Sequence, residues 1–265
     1  MIRMPRALTI AGSDSGGGAG VQADLKTFAA FGVYGTSAIV AITAQNTCEV
    51  VTIHPVPPEV VTAQIRAVVV DIGVDAAKTG MLWSREIVKT VAGVVKSLRI
   101  PNLVVDPVMT SKDGTVLLGP EAIAVLREEL LPLARVVTPN LAEAEALVGR
   151  RLTDPEALRQ AARELREMGP KLVVIKGGHL PGSPTELLYD GASFTEFSGE
   201  RISTRSDHGT GCTFSAAMAA YLAKGETIER ALALAKKYIT AAIRTGFTVG
   251  AGHSPVHHFY RFWKV

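Results

Sequence analysis

The sequence predicts an α/β fold in which a mainly parallel central sheet lies between two layers of helices. Short apolar runs of strand length alternate along the chain with amphipathic stretches of helix length. The apolar runs are continuous, which is typical of strands that are buried on both faces. A pair of strand-like segments meets at Asp190-Gly191, which indicates a hairpin and therefore antiparallel strands at one edge of the sheet.

The elements follow from this pattern in chain order. Strands are expected at 7–12, 36–43, 76–81, 102–108, 134–140 and 171–178, and the hairpin at 185–200. Helices are expected at 19–31, 58–72, 84–98, 119–131, 141–149, 154–169, 211–224 and 226–245. Ser84 and Asp154 are N-cap residues of the preferred types. The chain has no repeat, linker or break in composition, which predicts a single domain over residues 1–265.

The composition is that of an ordinary globular protein. Of the 265 residues, 47% are hydrophobic and 20% are charged, and the net charge is only +3. The arginines of 149–167 are interleaved with acids, so neither a nucleic-acid partner nor a membrane surface is expected. Signal-peptide and membrane-span patterns are absent, and Cys48 and Cys212 form no metal or redox pattern. A cytoplasmic protein is the resulting expectation.

Residues 207–225, DHGTGCTFSAAMAAYLAKG, place a glycine turn at the mouth of a helix. Gly209 and Gly211 let an anion approach backbone N–H groups that carry partial positive charge. The pattern predicts an anion hole for phosphate, unless the glycines only form a tight loop. Cys212 is expected to have a lowered pKa at this position, and its side chain could be a nucleophile, a base or a small packing residue.

Residues 11–26, AGSDSGGGAGVQADLK, predict a strand, a glycine loop and a helix. No Gly-Lys-Ser/Thr follows, so the loop is not a Walker loop. The match to a dinucleotide-binding fingerprint is partial, because Gln45-Asn46 stand where an acid is expected. Asp24 lies in the first turns of the helix, where the simplest interpretation is a surface acid favoured by the helix dipole.

Polar residues also stand at the ends of later strands, where ligands bind in a parallel sheet. Asp106 ends one strand, Asn140 ends the next, and Glu143 lies one helical turn further on. Such oxygen ligands suit Mg²⁺ that is held partly through water, whereas the alternative is a capping box of Asn140 and Glu143. Lys176 is either a point charge for phosphates or a snorkelling surface lysine.

In this order, the segments resemble the ribokinase-like superfamily, and more narrowly the hydroxymethylpyrimidine/phosphomethylpyrimidine kinase family of thiamine biosynthesis. The resemblance covers nearly the whole chain and rests on ALTIAGSD, GGAGVQADLKTF, AQNT, KTGML, DPVM, TPNLAEAEAL, VVIKGGH, HGTGCTFSAA and PVHHF. It implies a ribokinase-like three-layer sandwich, ATP as phosphoryl donor, Mg²⁺ and a homodimer. The acceptors that it implies are 4-amino-5-hydroxymethyl-2-methylpyrimidine and then the monophosphate of that compound.

The same resemblance implies roles for individual residues. Gln45 would recognise the aminopyrimidine edge, because a carboxamide offers both a donor and an acceptor. The rest of the substrate pocket would be Gly12, Asp24, Met81 and Val108, with Met81 against the ring. The Mg²⁺ residues would be Asp106, Asn140 and Glu143, and the ATP residues would be Lys176, Asn140, Thr210 and Lys236. The catalytic anion hole would be Gly209, Thr210, Gly211 and Cys212.

Many superfamily members have an Asp that acts as a base where this chain has Cys212. Because phosphoryl transfer depends more on positioning than on proton removal, Cys212 acts either as a modest base or mainly through its backbone N–H, and our hypothesis from the sequence is a partial base role. Two further residues depart from the family pattern. Gly16 replaces a common Ser and is expected to loosen its loop. Asp207 replaces a small hydroxylic residue and either opposes ATP binding or holds a cation.

Three alternatives compete with this interpretation. A pyridoxal or pyridoxine kinase also accepts an aromatic nitrogen ring with a hydroxymethyl arm, although Cys212 and Gln45 favour the pyrimidine. A non-catalytic nucleotide- or vitamin-binding regulator would not need the metal and anion-hole positions, which are all present. A purely structural protein leaves the clustering of polar residues at strand ends unexplained.

Overall fold

The computed structural model describes residues 3–177 and 183–263, and these form a nine-stranded sheet with helices on both faces. The strands are β1 (Arg6–Asp14), β2 (Tyr34–Gln45), β3 (Val50–Pro55), β4 (Ala76–Thr79), β5 (Leu103–Val105), β6 (Val136–Val137), β7 (Leu172–Ile175), β8 (Thr185–Tyr189) and β9 (Phe194–Ser198). Their order across the sheet is β3-β2-β1-β4-β5-β6-β7-β8-β9. The six strands from β2 to β7 in this order are mutually parallel, which confirms the mainly parallel sheet.

The helices form two separate layers. In the described residues they are α1 (Gly20–Ala30), α2 (Pro58–Ala67), α3 (Arg85–Leu98), α4 (Pro120–Val125), α5 (Leu141–Val148), α6 (Pro155–Glu167), α7 (Thr210–Ala223) and α8 (Ile228–Arg244). Val104 belongs to the core beneath α1, α7 and α8, whereas Leu103 and Val105 belong to the core beneath α2 to α6. Alternate strand residues therefore face opposite layers, as the three-layer sandwich requires.

The antiparallel part of the sheet is larger than the sequence predicts. The hairpin forms as expected from β8 and β9, and Asp190 accepts hydrogen bonds from the Ala192 and Ser193 N–H groups in its turn, both at 2.7 Å. β3 was not predicted, and it pairs antiparallel with β2 at the opposite edge. Because β3 is an edge strand with no fully buried residue, it lacks the continuous buried run that reveals the other strands.

Several element boundaries also differ from the sequence predictions. In the segment 58–72, α-helical geometry stops at Ala67 and the chain goes on in a wider π-type turn. The helix expected at 119–131 changes to a π-type turn in the same way after Val125. The two expected N-caps are confirmed, because the side chains of Ser84 and Asp154 accept backbone hydrogen bonds from the first turns of α3 and α6. Gly178, the expected end of β7, lies outside the described residues. No helix within the described ranges is long and apolar enough to cross a bilayer.

Candidate active site

A cleft of about 450 Å³ opens where the parallel strands end. Most of the predicted site residues line it, as expected for a sheet whose strand ends converge. They are Gly12, Gln45, Met81, Asp106, Val108, Asn140, Glu143, Lys176, Gly209, Thr210, Gly211 and Cys212. Two predicted residues, Asp24 and Lys236, lie behind the wall of the cleft.

The first turn of α7 is open towards this cleft. Gly209 precedes the helix with φ 76°, and no side chain among the described residues caps the first turn. A Cβ atom at Gly209 would lie 1.8 Å from the carbonyl oxygen of Gly18, so only glycine fits between the two loops. Gly211 and Cys212 line the cleft, so unpaired backbone N–H groups meet it as in an anion site.

Asp14 holds the glycine loop that faces α7. Its carboxylate accepts backbone hydrogen bonds from Gly16, Gly18 and Ala19 at 2.8–3.0 Å. The Nε2 atom of His208 lies 3.0 Å from the same carboxylate. Although burial opposes ionisation, these hydrogen bonds hold the pKa of Asp14 below its usual value. Asp14 also holds the Gly16 backbone directly, and the loosening expected from Gly16 stays a prediction.

Lys176 joins two buried carboxylates at the next strand ends. Its Nζ atom lies 2.8 Å from Asp106 Oδ1 and 3.7 Å from Glu143 Oε2. Burial disfavours the charge of Asp106, yet Lys176 keeps the pKa of that carboxyl below its usual range. Burial raises the pKa of Glu143 to about 7, and the negative charge of Asp106 adds to this shift. The lysine is therefore a partly buried residue of the cleft that pairs with two acids, not a snorkelling surface lysine.

Asn140 and Glu143 also form the capping box that the sequence left open. Asn140 Oδ1 accepts the Glu143 N–H at 2.9 Å, and Glu143 Oε2 accepts the Asn140 N–H at 2.7 Å. The cap fixes Glu143 beside Lys176 at the start of α5. The cap and a role in the site are therefore compatible, because the cap uses only one carboxylate oxygen.

The electrostatics of this cluster fit a bound cation. Asp106 and Glu143 share one lysine, and a bound cation would favour the ionised form of Glu143, whose pKa burial raises to about 7. No group of three or more His, Cys, Asp or Glu residues within the described part of the chain is placed to hold a metal by itself. Mg²⁺ commonly needs only one or two carboxylates when water and phosphate oxygens complete its shell. The donor set thus fits Mg²⁺ that arrives with a nucleotide.

The expected lowering of the Cys212 pKa is wrong. Burial raises the pKa of the thiol to about 11. Lys78 opposes this shift, whereas the charges of Asp106 and Asp24 add to it. The partial charge of a helix N-terminus is therefore outweighed by desolvation and by two nearby acids. The thiol is protonated at neutral pH.

Asp24 is not the surface acid that its position in α1 suggested. Its carboxylate is fully buried and lies 2.9 Å from Lys78 Nζ, and Thr9 Oγ1 donates to it at 2.6 Å. Lys78 is also fully buried, on β4. Sequence reasoning missed this lysine, although a charge inside the apolar segment AAKTGM was the available signal. The structure does not bring Asp24 to the surface of the cleft, so its substrate contact stays a prediction.

Lys236 lies behind another acid of the cleft wall. It forms an ion pair with Glu186 and donates to the carbonyl oxygen of Pro184 at 2.8 Å. Glu186 lines the cleft, and sequence reasoning did not single it out. Lys236 therefore contributes charge near the cleft, and its direct contact with a nucleotide stays a prediction.

Gly12, Gln45 and Met81 line another part of the same cleft. The Gly12 N–H donates to the carbonyl oxygen of Met81 at 3.1 Å. A Cβ atom at Gly12 would lie 2.5 Å from the Met81 side chain, so the glycine makes room for the methionine. Gln45 Oε1 accepts a hydrogen bond from Thr43 at 3.1 Å, which orients the carboxamide.

A short loop after β5 reaches over the mouth of the cleft. It closes through a bridge between Thr110 and Val116, and Lys112 extends from it to Asp207. The Lys112 Nζ atom lies 2.7 Å from Asp207 Oδ2, and His253 Nδ1 lies 2.8 Å from Asp207 Oδ1. Asp207 thus holds the cationic side chain of Lys112, and its expected effect on ATP binding stays a prediction.

The fold and this cleft together define the class of protein. A mainly parallel sheet, an uncapped helix N-terminus and a lysine held between two acids provide the parts that position phosphates. These are the parts of a small-molecule kinase with a ribokinase-like fold.

Comparison with known proteins gives the particular family. The model of the phosphomethylpyrimidine kinase family matches residues 14–257. The chain is 52% identical to the hydroxymethylpyrimidine/phosphomethylpyrimidine kinase of Rhizobium meliloti, and the match covers 97% of this chain and 98% of the relative. The chain belongs to the phosphomethylpyrimidine kinase family.

The chain is also similar to a longer bifunctional protein and to a kinase of known structure. The chain is 52% identical to a bifunctional thiamine biosynthesis protein of Geobacter sulfurreducens, but it spans only 51% of that longer protein. A pyridoxal kinase of Bacillus subtilis, solved as an ADP complex, superposes with a TM-score of 0.90 at 42% identity, covering 97% of this chain and 98% of that one. The expected ribokinase-like fold is thus confirmed, and nucleotide binding is shown for a related structure.

Proposed function

We propose that the protein transfers a phosphoryl group from ATP to 4-amino-5-hydroxymethyl-2-methylpyrimidine, and then a second one to the resulting monophosphate, in thiamine biosynthesis. One observation carries the proposal. The Lys176 Nζ atom lies 3.3 Å from the position that a Cβ atom of Gly211 would occupy. A lysine charge and the open first turn of α7 therefore converge on one point, where a transferring phosphoryl group carries its charge.

In this proposal the nucleotide phosphates lie between α7 and the acidic cluster. Lys176 neutralises phosphate charge, Thr210 and Asn140 contact the nucleotide, and Lys236 adds charge from behind Glu186. Asp106, Glu143 and Asn140 would hold Mg²⁺ directly or through water. The ion supplies charge neutralisation on the phosphate oxygens when it is bound.

The acceptor lies in the part of the cleft that is lined by Gly12, Gln45 and Met81. Gln45 contacts the aminopyrimidine edge, because its carboxamide offers both an acceptor and a donor. Its oxygen lies 3.1 Å from Thr43 Oγ1 and its nitrogen 3.5 Å from His208 Nε2. Met81, Gly12 and Val108 enclose the ring, so its hydroxymethyl arm points towards α7. Backbone N–H groups from Gly209 to Cys212 stabilise the charge that develops during transfer.

Steady-state kinetics test this function directly. ATP turnover is measured separately with the pyrimidine alcohol, its monophosphate and pyridoxal as acceptors. We expect turnover with both pyrimidines, and Lys176→Met should lower kcat with each of them. Turnover with neither pyrimidine would reject the proposal, and a clear preference for pyridoxal would favour the activity named for the Bacillus subtilis structure.

The assembly and setting are further proposals. We propose a single domain over residues 1–265 that acts as a cytoplasmic homodimer. The dimer is supported by exposed apolar side chains at the β3 edge of the sheet, where Val51 on β3 is 65% exposed and Ile42 on the adjacent β2 is 51% exposed. Light scattering after gel filtration should give twice the chain mass, and Val51→Lys should shift it towards the monomer. A monomeric wild type at micromolar concentration would contradict the dimer.

A further inference from the structure

Several lysines of the described residues form ion pairs at or behind the cleft, and Lys112 is the most exposed of them. Its side chain is 42% exposed, and its partner Asp207 is 28% exposed. Lys176, by contrast, is 13% exposed and held by two acids, and Lys78 is completely buried against Asp24. Because exposed ion pairs are weak, Lys112 can exchange its partner more easily than either of the other lysines.

The loop that carries Lys112 is fixed independently of that ion pair. Asp113 accepts hydrogen bonds from the Thr115 hydroxyl at 3.0 Å and from the Val50 N–H at 3.2 Å. It also accepts a hydrogen bond from the Ser111 hydroxyl. The backbone at Lys112 is thus held from both sides, whereas its side chain has a flexible four-carbon stem. The ammonium group can therefore move without a rearrangement of the loop.

Asp207 keeps a second polar contact when Lys112 leaves it. His253 contacts the other carboxylate oxygen of Asp207 at 2.8 Å. Asp207 is also two residues before Gly209, so Lys112 already lies near the mouth of α7. The exchange thus leaves Asp207, which is 28% exposed, in contact with His253.

The two proposed acceptors differ mainly in charge. The alcohol is neutral, whereas a phosphate monoester carries about −1.5 to −2 charges near pH 7. The cleft is already lined by five acids, Asp14, Asp106, Glu143, Glu186 and Asp207. A cation that is free to turn towards the acceptor is therefore needed in the second transfer and not in the first.

We propose that Lys112 determines specificity between the two acceptors: it leaves Asp207 to bind the phosphate of the monophosphate, and Asp207 holds it when the acceptor is the neutral alcohol. This inference rests on the proposed function. Asp207 then acts as a competitor of the substrate phosphate for one lysine, so substitutions of the two residues have opposite effects.

The test is the ratio of kcat/KM for the monophosphate to kcat/KM for the alcohol. Lys112→Met should lower this ratio about tenfold or more, because a charge-assisted hydrogen bond to phosphate is lost. Asp207→Asn should raise the ratio about threefold or more, because the competing charge is lost. In the double variant, most of the increase from Asp207→Asn should disappear.

Lys89→Met is the matched control, because it removes the same charge from an exposed position on α3 and should leave the ratio unchanged. The inference is overturned if Lys112→Met changes kcat/KM for both acceptors by equal factors, or if both single variants shift the ratio in the same direction. If the wild type phosphorylates neither pyrimidine, the proposed function fails instead. The two failures are therefore distinguishable.

Discussion

Lys78 Nζ lies 2.9 Å from Asp24 Oδ2, and neither side chain has any exposed surface. Gly80 makes room for the lysine, because a Cβ atom there would lie 2.8 Å from Nζ. The pair is close enough to Cys212 that both charges act on the pKa of its thiol. The buried ion pair between β4 and α1 therefore lies next to the part of the cleft that contains Cys212.

We expect Lys78→Met to lower the free energy of unfolding by about 3–5 kcal/mol, because it leaves the Asp24 carboxylate buried without its partner. Urea denaturation measures this loss. The double variant Lys78→Met with Asp24→Asn should recover much of it, since the substituted carboxamide is uncharged and can still accept a hydrogen bond from Thr9. An equal loss in the single and double variants would show that packing, and not charge, sets the effect.

Gly209→Ala should lower kcat/KM by about 100-fold or more, because the added Cβ would collide with the Gly18 carbonyl and displace the first turn of α7. Gly225→Ala is the matched control. Gly225 has a similar φ of 84°, but nothing lies within 4 Å of the added atom. It should cost only about 1–2 kcal/mol of stability and leave turnover intact. Similar activities for the two variants would contradict the close packing of the two loops.

The sequence predicts the parts of the fold that depend on continuous burial. Strands such as β5 and β7 are apolar throughout, and the residues that follow them, Asp106 and Lys176, lie together as expected. β3 could not be recognised, because an exposed edge strand needs no buried run. The position of β3 in the sheet depends on its pairing with β2, and the residues of β3 alone do not reveal that pairing.

Contacts between distant charges were equally hard to predict. His208 and Asp14 are 194 positions apart, and Lys78 and Asp24 are 54 apart. No local spacing relates such residues. The prediction of a lowered Cys212 pKa was wrong for the same reason. The sequence reveals the helix N-terminus, but it does not reveal that the thiol is buried beside Asp106 and Asp24.

His258 makes stability depend on pH. Its Nε2 atom lies 3.0 Å from Thr213 Oγ1, and burial lowers its pKa to about 3, with smaller contributions from Lys26 and His257. The unfolded chain takes up this proton near pH 6.5 and the folded chain does not, so stability is complete above pH 6.5 and declines as the pH falls towards 3. Between about pH 6.5 and 5, His258 should lower the free energy of unfolding by up to about 2 kcal/mol.

Urea denaturation at several pH values measures this effect. His258→Gln should remove that part of the slope, because glutamine takes up no proton. His54→Gln, at an exposed position on β3, is the control and should leave the slope unchanged. Identical slopes in the wild type and in His258→Gln would show that His258 takes up its proton over the same pH range in the folded and unfolded chain.

Cys212 should act through its backbone N–H more than through its sulfur. With a thiol pKa of about 11, only about one molecule in ten thousand carries the thiolate at pH 7. General bases contribute about 10²–10⁴-fold to rate, so Cys212→Ala should keep kcat within about tenfold of the wild type and leave its pH profile unchanged. In a Cys48→Ser background, alkylation of Cys212 by iodoacetamide should accelerate about tenfold per pH unit up to about pH 11. A loss of kcat beyond about 100-fold, together with a changed pH profile, would instead establish the sulfur as the base, because removal of a residue that acts only through its backbone cannot alter the titration of turnover.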